Sequence, residues 1–139
     1  MKILGVDHIA VAVPEIEEAL RFWSGTLGIP QAGVEEVAGE KVRVAWLPVP
    51  GTHVELVEPL ADDSPIRGYL EKRGGGIHHL CFLVEDADAA FRELRERGVR
   101  VLGEGPRPGA GGARILFVDP AEGGGVLVEL KQKARTEGG

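Results

Sequence analysis

Cysteine is almost missing from this chain: there is one, Cys81, in 139 residues. That excludes a fold stapled by internal disulfides and fits a reducing, cytoplasmic compartment. Long apolar runs are missing too. None approaches the ~20 residues needed to span a bilayer, so no membrane partner is expected. Met1-Lys2-Ile3-Leu4 leads directly into strand-like sequence, so no secretory signal is expected. Positive charge is the scarcer sign, with 16 Lys and Arg against 22 Asp and Glu and a formal charge of −6. Nucleic acid is therefore not expected as a partner. Anionic small molecules stay open, because a local arginine cluster or a metal outweighs a net charge. The length suits one compact globule or two small fused modules with a real core.

What the chain does have is a repeat. Gly5-Val6-Asp7-His8-Ile9-Ala10-Val11-Ala12-Val13 returns as Gly76-Ile77-His78-His79-Leu80-Cys81-Phe82-Leu83-Val84, with His79 71 positions after His8. Each run alternates as a strand does. In the first, Ile9, Val11 and Val13 share a face suited to packing under a helix. His8 shares the other face with Ala10 and Ala12, which leaves room beside the histidine for something that is not protein. Cys81 follows His79 by two and reads as a packed small side chain rather than a ligand or nucleophile.

The helices repeat at the same offset. Pro14 opens one that is predicted to run to about Leu27, with Ile16, Ala19, Leu20, Trp23 and Leu27 as its apolar stripe and Gly28 as its stop. Its twin spans about Asp86 to Arg97, with Ala87, Ala90, Phe91 and Leu94, and ends at Gly98. Strands are expected at Lys41–Leu47 and Thr52–Val57 around a Pro50-Gly51 turn, and at Ala113–Val118 and Gly125–Leu130 around residues 119–124. Weaker strands at Gln31–Val37 and Val99–Gly103 complete each half. The expected fold is α+β, a tandem pair of βαβββ modules. The first module covers residues 1–60 and the second 76–132. Residues 61–75 form a linker in which Ser64 caps a short helix, Ile66–Lys72, before a Gly74-Gly75-Gly76 turn. Residues 133–139 read as a flexible tail.

Two glutamates do not fit their strands. Glu129 stands in Val126-Leu127-Val128-Glu129-Leu130, apolar enough to be buried, and Glu55 occupies the matching place in His53-Val54-Glu55-Leu56-Val57. A buried carboxylate with no partner costs several kcal/mol unless it is protonated or meets a cation. One His and one Glu from each half, on the face away from the helices, are ligand types a borderline divalent ion accepts. His8, Glu55, His79 and Glu129 are thus expected to hold one divalent metal. His78 alternates with His79 and is expected to face the opposite side. His53 shares the face of Glu55, where an ordinary structural role is preferred to one supporting the ligands.

These motifs resemble a known family. The duplicated His/Glu module is similar to the vicinal oxygen chelate superfamily, whose fold is a half-open, mixed β-sheet barrel with outer helices. Within it the chain is similar to the methylmalonyl-CoA epimerase family over nearly its whole length. The likeness rests on Val6-Asp7-His8-Ile9-Ala10, on Glu55-Leu56-Val57-Glu58-Pro59 with Asp63-Ser64-Pro65-Ile66, and on Gly76-Ile77-His78-His79. It continues through residues 106–114 and Gly125-Val126-Leu127-Val128-Glu129-Leu130. The resemblance implies an isomerase acting on methylmalonyl-CoA through α-proton abstraction and return on the opposite face. It implies one divalent ion per chain, Co2+ first, with Mn2+, Ni2+ or Zn2+ as alternatives, and a homodimer. In some members a glutamate outside the ligand set, on the strand corresponding to Lys41–Leu47, serves as base. Arg43 is taken to stand at that place here, and arginine is no base at neutral pH. Glu129 and Glu55 are therefore expected as the two bases, with Glu40 in reserve. Arg43 and Arg114, repeat partners, are candidate contacts for the substrate carboxylate or CoA phosphates, or else ordinary strand arginines. Residues 109–112 form a glycine-rich loop that either approaches CoA or simply turns.

The rival readings are a glyoxalase I-type metalloenzyme, an extradiol dioxygenase needing iron and only three ligands, and a binding protein that sequesters drugs without metal.

Overall fold

In a computed structural model the described residues are 1–134. Two compact units emerge, one formed by His8–His79 and the other by Met1–Asp7 with the chain from Leu80 onward.

The first unit holds β1 (Ile3–Ala12, from His8), α1 (Ile16–Leu20), β2 (Gly33–Val37), β3 (Val42–Val49), β4 (Thr52–Pro59) and α2 (Pro65–Arg73). Its strands lie in the order β2-β3-β4-β1. The β2/β3 and β3/β4 pairs are antiparallel, whereas β1 and β4 are parallel with Ala10 opposite Glu55. Alternation along these strands gives two buried faces. One packs Val11, Val13, Ala45, Leu47 and Leu56 against Ile16, Ala19, Leu20 and Trp23. The other packs Ala10, Ala12, Val42, Val44 and Val57 against Ile66, Tyr69 and Leu70 of α2.

That second face corrects one expectation. Ala10 and Ala12 are 0% and 1% exposed, because the linker helix occupies the space the two methyl groups leave. Ser64 caps this helix by accepting from the Ile66 N–H, Pro65 opens it, and Gly74 closes it at φ 75°. The glycines that follow are needed. A β-carbon on Gly75 would stand 3.2 Å from the Ala12 carbonyl oxygen, and one on Gly76 would stand 3.3 Å from the Tyr69 hydroxyl.

The first helix also differs from its prediction. After Leu20 it widens into a π-helical turn over Arg21–Thr26, with Leu27 donating to the Phe22 carbonyl five residues back. The wider winding breaks the 3.6-residue stripe. Ile16 to Trp23 stay on the sheet, but Leu27 is 52% exposed.

In the other unit β5 (Gly76–Val84) continues from Leu80 into α3 (Ala87–Glu96), β6 (Val101–Pro108), β7 (Arg114–Val118) and β8 (Leu127–Gln132). The order β5-β8-β7-β6 repeats that of β1-β4-β3-β2. Here Val84, Ala87, Ala90, Leu116, Val118 and Leu130 form the core under α3. Asp86 caps α3 by accepting from the Ala89 N–H. Each βαβββ half is thus built as expected. The expected tail at 133–139 begins differently, since Lys133 donates to the Val84 carbonyl. Residues 135–139 lie outside the described residues.

Candidate metal centre

His8, Glu55 and His79 are buried, at 3%, 4% and 7% exposure. They reach one place from three strands. β1 carries His8, and its parallel partner β4 sets Glu55 beside Ala10, two residues further along β1 on the same face. The start of β5 carries His79. His8 Nδ1 lies 2.9 Å from Glu55 Oε2, and His8 Nε2 lies 3.3 Å from His79 Nε2. The same Glu55 oxygen is 2.8 Å from His53 Nε2. His53 therefore touches the Glu55 carboxylate directly.

The donor chemistry suits a divalent ion. His8, His53 and Glu55 each offer a ligand-type atom within 4.8 Å of the others, Glu55 lying at His8 Nδ1, and His79 approaches His8 at its other ring nitrogen, Nε2. Metal–nitrogen bonds of about 2.0–2.1 Å place neighbouring ligand nitrogens roughly 2.9–3.4 Å apart, which brackets the observed His8–His79 spacing. A carboxylate next to two imidazoles also matches the hard–soft balance that Co2+, Mn2+ or Zn2+ accept. The residues present fit such an ion.

Glu129 belongs to the other unit. It is 5% exposed on β8 and sits opposite Phe117 of β7, as Glu55 sits opposite Trp46 of β3. The two glutamates thus hold equivalent places in their sheets.

His78 does not turn away from the site. Its Nδ1 lies 2.8 Å from His79 Nδ1, the rings meeting at 5.1 Å and 81°. Strict alternation along β5 predicts the opposite. A positive φ at Gly75 and Gly76 and the edge of Tyr69, 5.1 Å from the His78 ring, set this entry to the strand. The doubled histidine and the tyrosine in the middle of the linker helix were the available sequence signals.

The arginines are ion-paired. Arg43 shares the helix face of β3 with Ala45 and Leu47, and pairs with Glu17 at 2.8 Å and Glu58 at 3.0 Å. Arg114 pairs with Asp88 through two bonds of 2.8 and 2.9 Å. Both guanidinium groups, candidates for substrate contact or ordinary strand arginines, pair with carboxylates at the helix starts: Arg43 with Glu17 of α1 and Glu58 of β4, Arg114 with Asp88 of α3. The register puts Arg43 on the face of β3 away from Glu55. Trp46 stands opposite Glu55 and Val44 opposite Val57, so β3 turns Val44 and Trp46 to the face of Glu55 and presents no carboxylate there. Glu40 lies in the 3-10 turn before β3. Cys81 is fully buried, as a packing residue should be. Ala110, Gly111 and Gly112 of the glycine-rich loop line a cavity of about 400 Å³ with Arg114, Lys131 and Lys133.

The Glyoxalase/Bleomycin resistance protein/Dioxygenase superfamily model matches residues 7–117, and the chain has that superfamily's fold. It is 44% identical over 129 residues to the ethylmalonyl-CoA/methylmalonyl-CoA epimerase of Cereibacter sphaeroides, covering 91% of this chain and 96% of the relative. Its fold matches the methylmalonyl-CoA epimerase of Mycobacterium tuberculosis with a TM-score of 0.90 and 38% identity, over 96% of this chain and 90% of that one. A variant of the Streptomyces coelicolor methylmalonyl-CoA epimerase, in complex with 2-nitronate-propionyl-CoA, matches with a TM-score of 0.92 and 33% identity over 99% and 100% of the two chains. Within the superfamily, the chain belongs to the methylmalonyl-CoA epimerases, which are isomerases.

Proposed function

We propose that this chain interconverts the two epimers of methylmalonyl-CoA, with His8, Glu55, His79 and Glu129 holding one divalent ion. The observation that carries the reading is the pair of buried histidine nitrogens 3.3 Å apart beside a buried carboxylate, in a chain of this family. When bound, such an ion supplies a Lewis acid that stabilises the negative charge developing on the substrate's carbonyl oxygens.

The α-proton lies between two carbonyl groups and is acidic enough for a carboxylate to remove. Glu129 takes it on one face of the substrate, and Glu55 serves the other. Their equivalent positions, opposite Phe117 and Trp46, support this division. With Val44 and Trp46 on its inner face, β3 adds no competing base. The buried histidines exclude water and hold the carboxylates apart from bulk solvent, which raises the effect of each charge.

The same reading takes cobalt as the ion, a homodimer as the assembly and the cytoplasm as the location, where a buried thiol such as Cys81 stays reduced. Elemental analysis of the purified protein and light scattering test the first two.

The deciding experiment follows deuterium from solvent into the α-position of methylmalonyl-CoA, with ethylmalonyl-CoA alongside. Exchange that stops with a chelator and returns with Co2+ is expected. Absence of exchange with any divalent ion rejects the function.

A further inference from the structure

We infer that His78 is a positioning residue for the metal-binding site: it accepts a hydrogen bond from His79 Nδ1 and so commits Nε2 of His79 to the ion. The inference rests on the metal reading above and extends it to a residue outside the four ligands.

His79 turns Nε2 toward His8 Nε2 at 3.3 Å. A ring nitrogen that binds an ion carries no proton, so the one proton of neutral His79 sits on Nδ1. That nitrogen is 2.8 Å from His78 Nδ1. His78 must then accept, with its own proton on Nε2. Both roles are filled only in this arrangement, so the contact selects one tautomer of each ring.

His78 is itself held in place. The Tyr69 ring meets it edge-on at 5.1 Å and 84°, and the Tyr69 hydroxyl donates to the Ile77 carbonyl at 2.7 Å. Tyr69 projects from α2, and Gly76 leaves room for its hydroxyl. The linker helix therefore reaches the site in three steps, through Tyr69, His78 and His79. Partners that orient a ligating histidine typically contribute about 10- to 100-fold in metal affinity.

The test is Co2+ titration of the chelator-treated full chain, read as binding constant and as the visible absorption of bound cobalt. His78→Phe keeps a ring against Tyr69 but removes the acceptor, and is expected to weaken binding by about 10- to 100-fold with an altered cobalt spectrum. His78→Asn puts an oxygen where Nδ1 stood and is expected to recover most of the affinity. Thermal melting of each apo variant confirms that it folds. Unchanged affinity and spectrum in His78→Phe overturn the inference, as does a His78→Asn variant as weak as His78→Phe. If the wild-type chain itself takes up no Co2+, Mn2+ or Zn2+, the metal reading falls first and this one with it.

Discussion

The two βαβββ copies agree on the side of the sheet that faces their helices and differ on the other side. On the helix side each copy ties the helix start to its sheet in the same way. Glu58 accepts from the Ile16 N–H in the first copy, and Gln132 accepts from the Ala87 N–H in the second. Arg43 reaches Glu17 in the first, and Arg114 reaches Asp88 in the second. On the opposite side, among the described residues, only the first copy carries a covering helix, α2, over Ala10, Ala12, Val42, Val44 and Val57. Duplication thus preserved the packing that each half needs to fold. The unshared helix gives one half a route to the proposed site, through Tyr69.

The largest effects should come from the two glutamates, which test whether equivalence of position is equivalence of role. Glu129→Gln is expected to lower epimerisation by about 10²- to 10⁴-fold, the usual contribution of a positioned acid or base. Glu55→Gln should do the same. If each serves one face, each variant keeps deuterium exchange in one epimer only, and the surviving epimer differs between them. Exchange of both epimers in either variant would end the two-face assignment. Full turnover by Glu129→Gln would remove it as a base.

Next come the matched core positions. Leu56 and Leu130 follow the two glutamates and are 0% and 4% exposed under their respective helices. Truncating either to Ala should cost about 2–5 kcal/mol. Ile66→Ala, which opens the α2 face that has no counterpart, should cost a similar amount and also weaken Co2+ binding. Urea denaturation gives the first quantity and metal titration the second. An Ile66→Ala variant that binds Co2+ like the wild type would separate α2 from the site.

Repeat and alternation made most of this legible before any coordinates. Period-2 runs placed the strands, and the shared offset of His8 and His79 with the helix stripes placed two equivalent modules. The buried Glu55 and Glu129 stood out because a carboxylate in an apolar strand is costly. What alternation could not show is how side chains bend at the ends of strands. His78 leaves its nominal face because Gly75 and Gly76 have positive φ and Tyr69 crowds it, and neither effect has a local sequence pattern. Nor does alternation alone show which face of β3 lies with Glu55; the register with β4 gives that face to Val44 and Trp46 and the other to Arg43. The π turn escaped for a similar reason, since an apolar residue at Leu27 fits a regular stripe until the winding changes.

Smaller effects come from the caps that the copies share. Glu58→Ala removes a charged acceptor from the Ile16 N–H and a partner from Arg43, which should cost about 1.5–3 kcal/mol. Gln132→Ala removes a neutral acceptor alone, which should cost about 0.5–1.5 kcal/mol. Equal costs would mean that Arg43 contributes nothing through Glu58. Gly109→Ala probes the second copy at its tightest loop. A β-carbon there would stand 2.7 Å from Ile115 Cδ1 and 3.0 Å from Cγ1 and Cγ2, so about 1–3 kcal/mol of strain is expected.

The smallest predicted effect is the pH dependence of the two helix-side ion pairs. The Arg114 guanidinium, by hydrogen bonding, holds the Asp88 carboxyl below its ordinary value of 3.8. Arg43 does the same for Glu17, below its ordinary 4.5. In both, the folded state favours the ionised acid. The stabilisation is therefore full above the unfolded value and is lost as pH falls through the lowered one. Both carboxylates are exposed, so solvent and salt screen the pairs and the changes in denaturation midpoint should be small. Asp88→Asn should lower the urea midpoint more than Glu17→Gln, because Asp88 takes two bonds from Arg114, whereas Arg43 keeps Glu58 when Glu17 is lost. The gap between Asp88→Asn and the wild type should narrow as pH drops from 5 to below 3.8. A gap that stays constant across that range would mean that the Asn variant loses packing rather than charge, and the two copies would then share a geometry without sharing its electrostatics.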